Sequence, residues 1–191
     1  MRFFIIVLLI YVLVQYIISA VNYVKNIKLD SYGDFGLIEN QRSKPASDLR
    51  FALKNSGYNG CGWIACYNAF LLLDKQILPR NAILMLELLL TPVCLGFLGT
   101  NPLSIVLFLK LCGYRVKLNI LKQESAPCDS NVGILLYMTR RRRAHYVAYQ
   151  KTEGGLEFHN SLVKCSSFTE YIDRVSGKFI MSIDISSKKH N

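Results

Sequence analysis

A thiol, an imidazole and a side-chain amide occur in this chain in an order that can bring them together for acyl transfer. Cys61 follows the turn-rich stretch Asn55-Ser56-Gly57-Tyr58-Asn59-Gly60. It precedes a segment in which Ile64, Tyr67, Asn68, Leu71 and Leu72 recur at helical spacing, so a helix is expected from Cys61 to about residue 75. A thiol in the first turn of a helix meets unpaired N–H groups and the positive end of the dipole, which favour the thiolate nucleophile. Gly62 is expected to leave room beside the sulfur for a carbonyl. His145 opens the strand-like run HYVAYQ and can take the thiol proton. Asn160 follows fifteen residues later, beyond the Gly154-Gly155 turn, so two strands joined there return it close to His145. Its side-chain carbonyl is expected to accept the imidazole N–H and hold the ring in the working tautomer. Asn55, six residues before Cys61, is expected to join the Cys61 backbone N–H as an oxyanion donor, with Asn59 as the substitute in the same turn.

Two rivals lie inside this constellation. Cys66, five residues after Cys61, is rotated well round the helix and is expected to pack inward. His159 neighbours Asn160, but adjacent strand residues point to opposite faces, which leaves His145 as the base.

The elements that must position these groups follow from periodicity and punctuation. Pro79-Arg80-Asn81 reads as a second helix start, and Asn101-Pro102 as a third that Gly113 stops. Residues 114–121 alternate apolar and polar as a half-buried strand does. Further strands are expected at 132–138, 144–150, 156–158 and 178–185. Helices first and strands later point to an α+β fold. Residues 82–99 are apolar enough to suggest a membrane segment. Glu87 and Pro92 interrupt a run that is already short, so a buried helix and a loop are expected instead.

The chain is 191 residues long and 51% apolar, enough for one compact domain and an appendage. The appendage is the apolar run at residues 3–24, from Phe3 to Val24, broken only by Gln15, Ser19 and Asn22. It is long enough for a membrane anchor and too long for the core of a cleaved signal peptide. Residues 25–50 read as a polar linker, 51–186 as the folded domain and 187–191 as a basic tail. Arg2 precedes the run, while Lys25, Lys28, Arg42 and Lys44 follow it, which points to a cytoplasmic domain.

Absent motifs exclude other chemistry. No CxxC pair occurs among the six cysteines, and no Gly-rich phosphate loop is present. No metal or organic cofactor is expected. The +10 net charge suits an anionic partner. Arg140, Arg141, Arg142 and Arg143, just before His145, are expected to attract an acidic peptide or anionic lipid head groups. Nucleic acid is not expected, because no aromatic stacking platform accompanies the run.

The segment NSGYNGCGWIACYNAFLLL resembles the nucleophile helix of papain-like cysteine peptidases. The likeness is closest to the double-glycine leader peptidase domains of bacteriocin exporters, in which a polar amide also stands six positions before a Cys-Gly. The blocks GTNPLSIVLFLKLCGYRVKLNIL and HYVAYQKTEGGLEFHNS are similar to that family's helix-turn-strand and to its His-led hairpin. The resemblance covers residues 51–185. It implies a papain-like fold with N-terminal helices on an antiparallel sheet, nucleophile Cys61, base His145, orienting residue Asn160 and oxyanion donor Asn55. The implied activity is a membrane-anchored cysteine endopeptidase that processes a small peptide precursor or leader. The alternative is an inactive module of the same fold that binds a precursor peptide at the membrane.

Overall fold

The computed structural model describes residues 2–30, 35–120, 130–161, 163 and 165–187. Helix α1 (Arg2–Asp30) comes first, followed by a small hairpin of β1 (Arg50–Phe51) and β2 (Lys54–Asn55). Helices α2 (Ser56–Asn59), α3 (Cys61–Leu72), α4 (Pro79–Leu88) and α5 (Pro102–Leu111) come next. The strands β3 (Tyr114–Ile120), β4 (Val132–Met138), β5 (Ala144–Thr152), β6 (Gly155–His159) and β7 (Lys178–Ser187) complete the chain, with α6 (Phe168–Arg174) before the last. They form one sheet in the order β3-β7-β4-β5-β6, with every pairing antiparallel. The expected α+β architecture, helices packed on an antiparallel sheet, is the one observed. Residue 121, Cys128 and the tail residues 188–191, with His190, lie outside the described residues.

The sheet is buried on both faces because residues 134–137 of β4 and 146–149 of β5 are apolar or aromatic at successive positions, so each face receives alternate side chains. Ile134, Leu136, Tyr146 and Ala148 face the cluster built by Trp63, Tyr67 and Phe70 of α3 and by Phe108 of α5. Leu135, Tyr137, Val147 and Tyr149 face the opposite cluster, closed by Phe158, Phe168 and Tyr171. Helix α6 supplies two of those aromatics and was not expected from periodicity, since seven residues are too few to show one. Its signature is chemical: Ser167 Oγ accepts the Glu170 N–H at the N-cap, and the Glu170 carboxylate accepts from Ser166.

Residues 35–50, read from sequence as a linker, are fastened to the domain. Ile38 donates its N–H to Asn68 Oδ1 and accepts from Asn68 Nδ2, both at 2.9 Å, as a neighbouring strand would. Leu49 is fully buried. The Lys44-Pro45 peptide bond is cis.

Helix α1 extends six residues beyond the expected apolar run. Its polar residues form a stripe: Gln15, Ser19, Asn22 and Asn26 recur at intervals of four, three and four, and all are buried. Asn22 Nδ2 donates to Ala52 O and to Glu87 Oε1, at 2.9 and 2.8 Å. Asn26 exchanges a pair of hydrogen bonds with the Arg50 main chain. Glu87 Oε1 also accepts the Ala52 N–H, so one carboxylate ties α1, the hairpin and α4.

Burial pushes the Glu87 carboxyl pKa up, and the bonds from Ala52, Asn22 and Ser19 offset this only in part. A folded-state value above the unfolded one of about 4.3 gives stability that is full below that pH. It is lost as pH rises through the folded value. Glu87→Gln keeps an acceptor for Ala52 and Asn22 without a charge. It is expected to raise Tm at neutral pH, at about 2–4 °C per kcal/mol, and to flatten the fall in stability above pH 5; thermal unfolding from pH 4 to 8 measures both.

Candidate active site

Cys61 is the first residue of α3, reached through the short α2 turn. Gly60 N–H bonds Ser56 O at 2.9 Å, and Trp63 Nε1 donates to Ser56 Oγ at 2.8 Å, which fixes the approach to the helix. The thiol is buried, with the residue 8% exposed. Burial pushes its pKa up, and the main-chain N–H groups of Tyr146, Gly62 and Cys61 itself only partly offset that. The expected thiolate is therefore not the resting form: desolvation outweighs the helix start. Cys66 is wholly buried on the inward side of α3, and burial, followed by the nearby Cys112, pushes its thiol far up.

The space that a side chain at Gly62 would take is filled by Thr100. A Cβ there would lie 2.5 Å from both Oγ1 and Cγ2 of Thr100, so glycine lets the α5 lead-in close against the nucleophile turn. Gly62→Ala is expected to destabilise the fold by about 1–3 kcal/mol through overpacking, read as a lower Tm. It is also expected to change the alkylation rate of Cys61, because Thr100 must shift.

His145 sits near the start of β5, paired across the sheet with Tyr137, whose ring meets the imidazole edge-on at 5.6 Å. Cys61 approaches the main-chain N–H of the next residue, Tyr146. Burial lowers the His145 pKa, the Asn160 carbonyl counters it, and Arg42 adds to the fall. At neutral pH the imidazole is uncharged and able to accept a proton.

Asn160 follows β6 with a positive φ of 66° and stands beside His145, but not through the atom expected. The His145 Nε2 lies 3.5 Å from the Asn160 main-chain carbonyl oxygen. The side chain is turned to the 35–50 segment instead. Its Oδ1 accepts the Gln41 N–H at 2.9 Å, and its Nδ2 approaches Gln41 Oε1 at 3.4 Å and Tyr146 O at 3.5 Å. With its left-handed backbone, Asn160 presents its carbonyl to the imidazole while its buried amide meets Gln41. His159 pairs across β6 with Ala148, on the face opposite His145, and its Nδ1 meets Glu39 Oε1 at 2.7 Å.

Asn55 occupies the N-cap position of α2, exposed, with no capping hydrogen bond from its side chain. Asn59 is excluded as its substitute. Both of its amide hydrogens are committed, to Phe51 O at 3.1 Å and Gly96 O at 3.2 Å, so none is left for an oxyanion.

A cavity of about 310 Å³ opens beside the sulfur. Its lining includes Cys61, Thr100, Tyr146, Phe97, Leu98, Arg142 and Arg143, but neither His145 nor Asn160. The arginines lie in the exposed β4–β5 turn, closed by the Arg142 N–H on Thr139 O at 2.8 Å. Among the described residues, no cluster of three or more His, Cys, Asp or Glu could hold a metal.

Sequence reasoning missed Gln41, Arg42, Thr100 and Tyr137. Gln41 and Arg42 come from a segment with no periodicity, and Thr100 from a loop. Tyr137 is brought to His145 only by strand register.

No family model matches the chain, and no curated protein matches it. Among solved structures, it is similar to a double glycine motif protease from an AMS/PCAT transporter, crystallised in complex with the leader peptide. The match is at 14% identity and a TM-score of 0.49, covering 67% of this chain and 84% of that one. It is also similar to the peptidase domain of Streptococcus ComA, a bi-functional ABC transporter involved in a quorum sensing pathway. There the identity is 13% and the TM-score 0.48, covering 67% of this chain and 91% of that one.

Proposed function

We propose that this chain is a membrane-anchored cysteine peptidase that cleaves a small peptide precursor or leader. The observation that supports the reading is that Cys61, at the start of α3 and on the lining of the cavity, approaches the main-chain N–H of Tyr146, the residue after His145, whose Nε2 lies 3.5 Å from the Asn160 carbonyl. With its Nε2 proton directed at the Asn160 carbonyl, His145 keeps the Nδ1 lone pair for the thiol proton. Cys61 Sγ then attacks the peptide carbonyl, and His145 returns that proton to the leaving amine, forming a thioester. A water, deprotonated by the same imidazole, hydrolyses the thioester and regenerates the thiol. The Cys61 N–H, with Asn55, steadies the oxyanion. Arg142 and Arg143 favour an acidic peptide or lipid head group at the cleft.

Anchoring is supported by a helix at Arg2–Leu29 whose most apolar 18 residues have mean hydropathy 2.7, with 11% of that window buried. The basic residues that follow it favour a cytoplasmic domain. The anchor, domain and tail divisions at residues 24 and 186 belong to this proposal.

A second reading, an inactive module that binds a precursor peptide, is favoured by the protonated thiol and by the filled space at Gly62. The two readings separate on a degenerate peptide library incubated with the full-length chain in vesicles, with new termini read by mass spectrometry. Cleavage lost in Cys61→Ala supports the peptidase. Peptide retained intact on the wild-type chain sinks it in favour of the binding module.

A further inference from the structure

The cavity wall formed by Phe97 and Leu98 belongs to a larger apolar surface that the peptidase reading does not use. From 81 to 109 the only Asp, Glu, Lys or Arg is Glu87, which is turned inward to Asn22 and Ala52, and the stretch is bracketed by Arg80 and Lys110. Its outer surface carries Met85, Leu88, Phe97, Leu98 and Leu103 exposed, with Leu98 at 71% and Leu103 at 68%. A patch of this kind on a soluble face calls for a covering.

Two independent observations identify the covering. The first is where α1 is fastened. Tyr11 Oη reaches Pro92 O at 3.4 Å, and Asn22 holds Ala52 and Glu87. These anchor points span eleven residues, about 16 Å along the helix, inside the apolar run of residues 3–24. Any bilayer that α1 crosses therefore surrounds the level occupied by α4 and the Pro92–Thr100 turn.

The second is the state of that turn's backbone. The carbonyls of Pro92, Val93, Cys94, Leu95 and Gly96 accept from Tyr11, Leu98, Phe97, Leu53 and Asn59. Those of Gly99 and Thr100 accept from Val93 and Tyr146. Seven of the nine carbonyls from 92 to 100 are thus satisfied within the chain, those of Phe97 and Leu98 not being among them, which suits a turn placed against hydrocarbon.

We infer that the outer face of α4, the Pro92–Thr100 turn and the start of α5 are immersed in one leaflet of the bilayer that α1 crosses. The catalytic cavity then opens at the lipid surface, with Phe97 and Leu98 as its lipid-side wall. Lys54 Nζ, 4.5 Å from the Phe97 ring centroid and 5.5 Å from that of Tyr58, marks the head-group level. The inference rests on the reading of α1 as a membrane span.

The test uses the full-length chain in phosphatidylcholine vesicles with brominated acyl chains, and tryptophan placed at Leu98→Trp, at Leu103→Trp and, as control, at Glu153→Trp in the β5–β6 turn. Native Trp63 is fully buried and is a constant background. The expected result is co-flotation with the vesicles, loss of most of the added emission at positions 98 and 103 relative to unbrominated lipid, and no loss at 153. Quenching of positions 98 and 103 by aqueous acrylamide instead, or shielding from both quenchers as under a second copy of the chain, overturns the inference and leaves the anchor standing. Failure to float sinks the anchor and the inference together.

Discussion

Cys61→Ala is expected to reduce peptide cleavage by at least about 10⁴-fold, the scale on which removing a covalent nucleophile acts, with little change in Tm. The deletion removes one sulfur whose hydrogen bonds are with the main-chain N–H groups of Tyr146, Gly62 and Cys61. Cys66→Ala is the opposite case. That thiol packs inside α3 with no access to the cavity, so its loss leaves a small void and most of the activity. Progress curves on the cleaved library peptides, with thermal unfolding alongside, separate the two. Equal loss of activity in both variants overturns the assignment of Cys61.

His145→Ala is expected to lower turnover by about 10²–10⁴-fold, the range for a positioned general base, with a pH signature that follows from burial. Burial raises the Cys61 pKa and lowers that of His145, which favours a neutral thiol and a neutral imidazole at rest. Iodoacetamide reacts with thiolate, so its rate at Cys61 should climb only at and above the ordinary thiol range, about 8.5, with no plateau between pH 5 and 7. Peptide cleavage behaves differently. It should rise as His145 loses its proton, at a pH below the ordinary imidazole value of about 6.5, and hold through neutrality. A fast, pH-independent alkylation plateau in acid that His145→Ala abolishes would show a thiolate–imidazolium pair instead, and would contradict the neutral resting state.

Much of the site was legible because chemistry and secondary-structure signals coincide in it. The Asn/Gly turn before Cys61 marks a helix start, and the start places the thiol. Strand alternation separated His159 from His145, and the observed pairing of Ala148 with His159 agrees. The ionisation of Cys61 was not legible. A helix start predicts a lowered thiol pKa, while burial, which depends on everything packed above the sulfur, sets the opposite direction. Asn160 divides the same way. The hairpin brings the residue to the base, but at its φ of 66° the carbonyl, not the amide, faces the imidazole.

The N-terminal third shows the limit from the other side. Gln15, Ser19 and Asn22 read as interruptions of an apolar run, and with Asn26 they turn out to be its docking stripe. The spacing was present in the sequence, but the partners of Asn22 and Asn26, namely Glu87, Ala52 and Arg50, lie 24 to 65 residues away. Residues 35–50 carry no periodicity at all, yet Ile38 and Gln41 hold to Asn68 and Asn160 by main-chain bonds that any residue type but proline can donate.

By itself the sequence determined what short-range physics controls: the helix starts at Cys61, Pro79 and Pro102, the strands of the hairpin, the apolar length of the first helix and the order of thiol, imidazole and amide. Only the tertiary structure decided which groups are desolvated and which atoms meet. Burial and long-range hydrogen bonds are properties of the whole packed chain, whereas a residue's spacing to its neighbours is written locally.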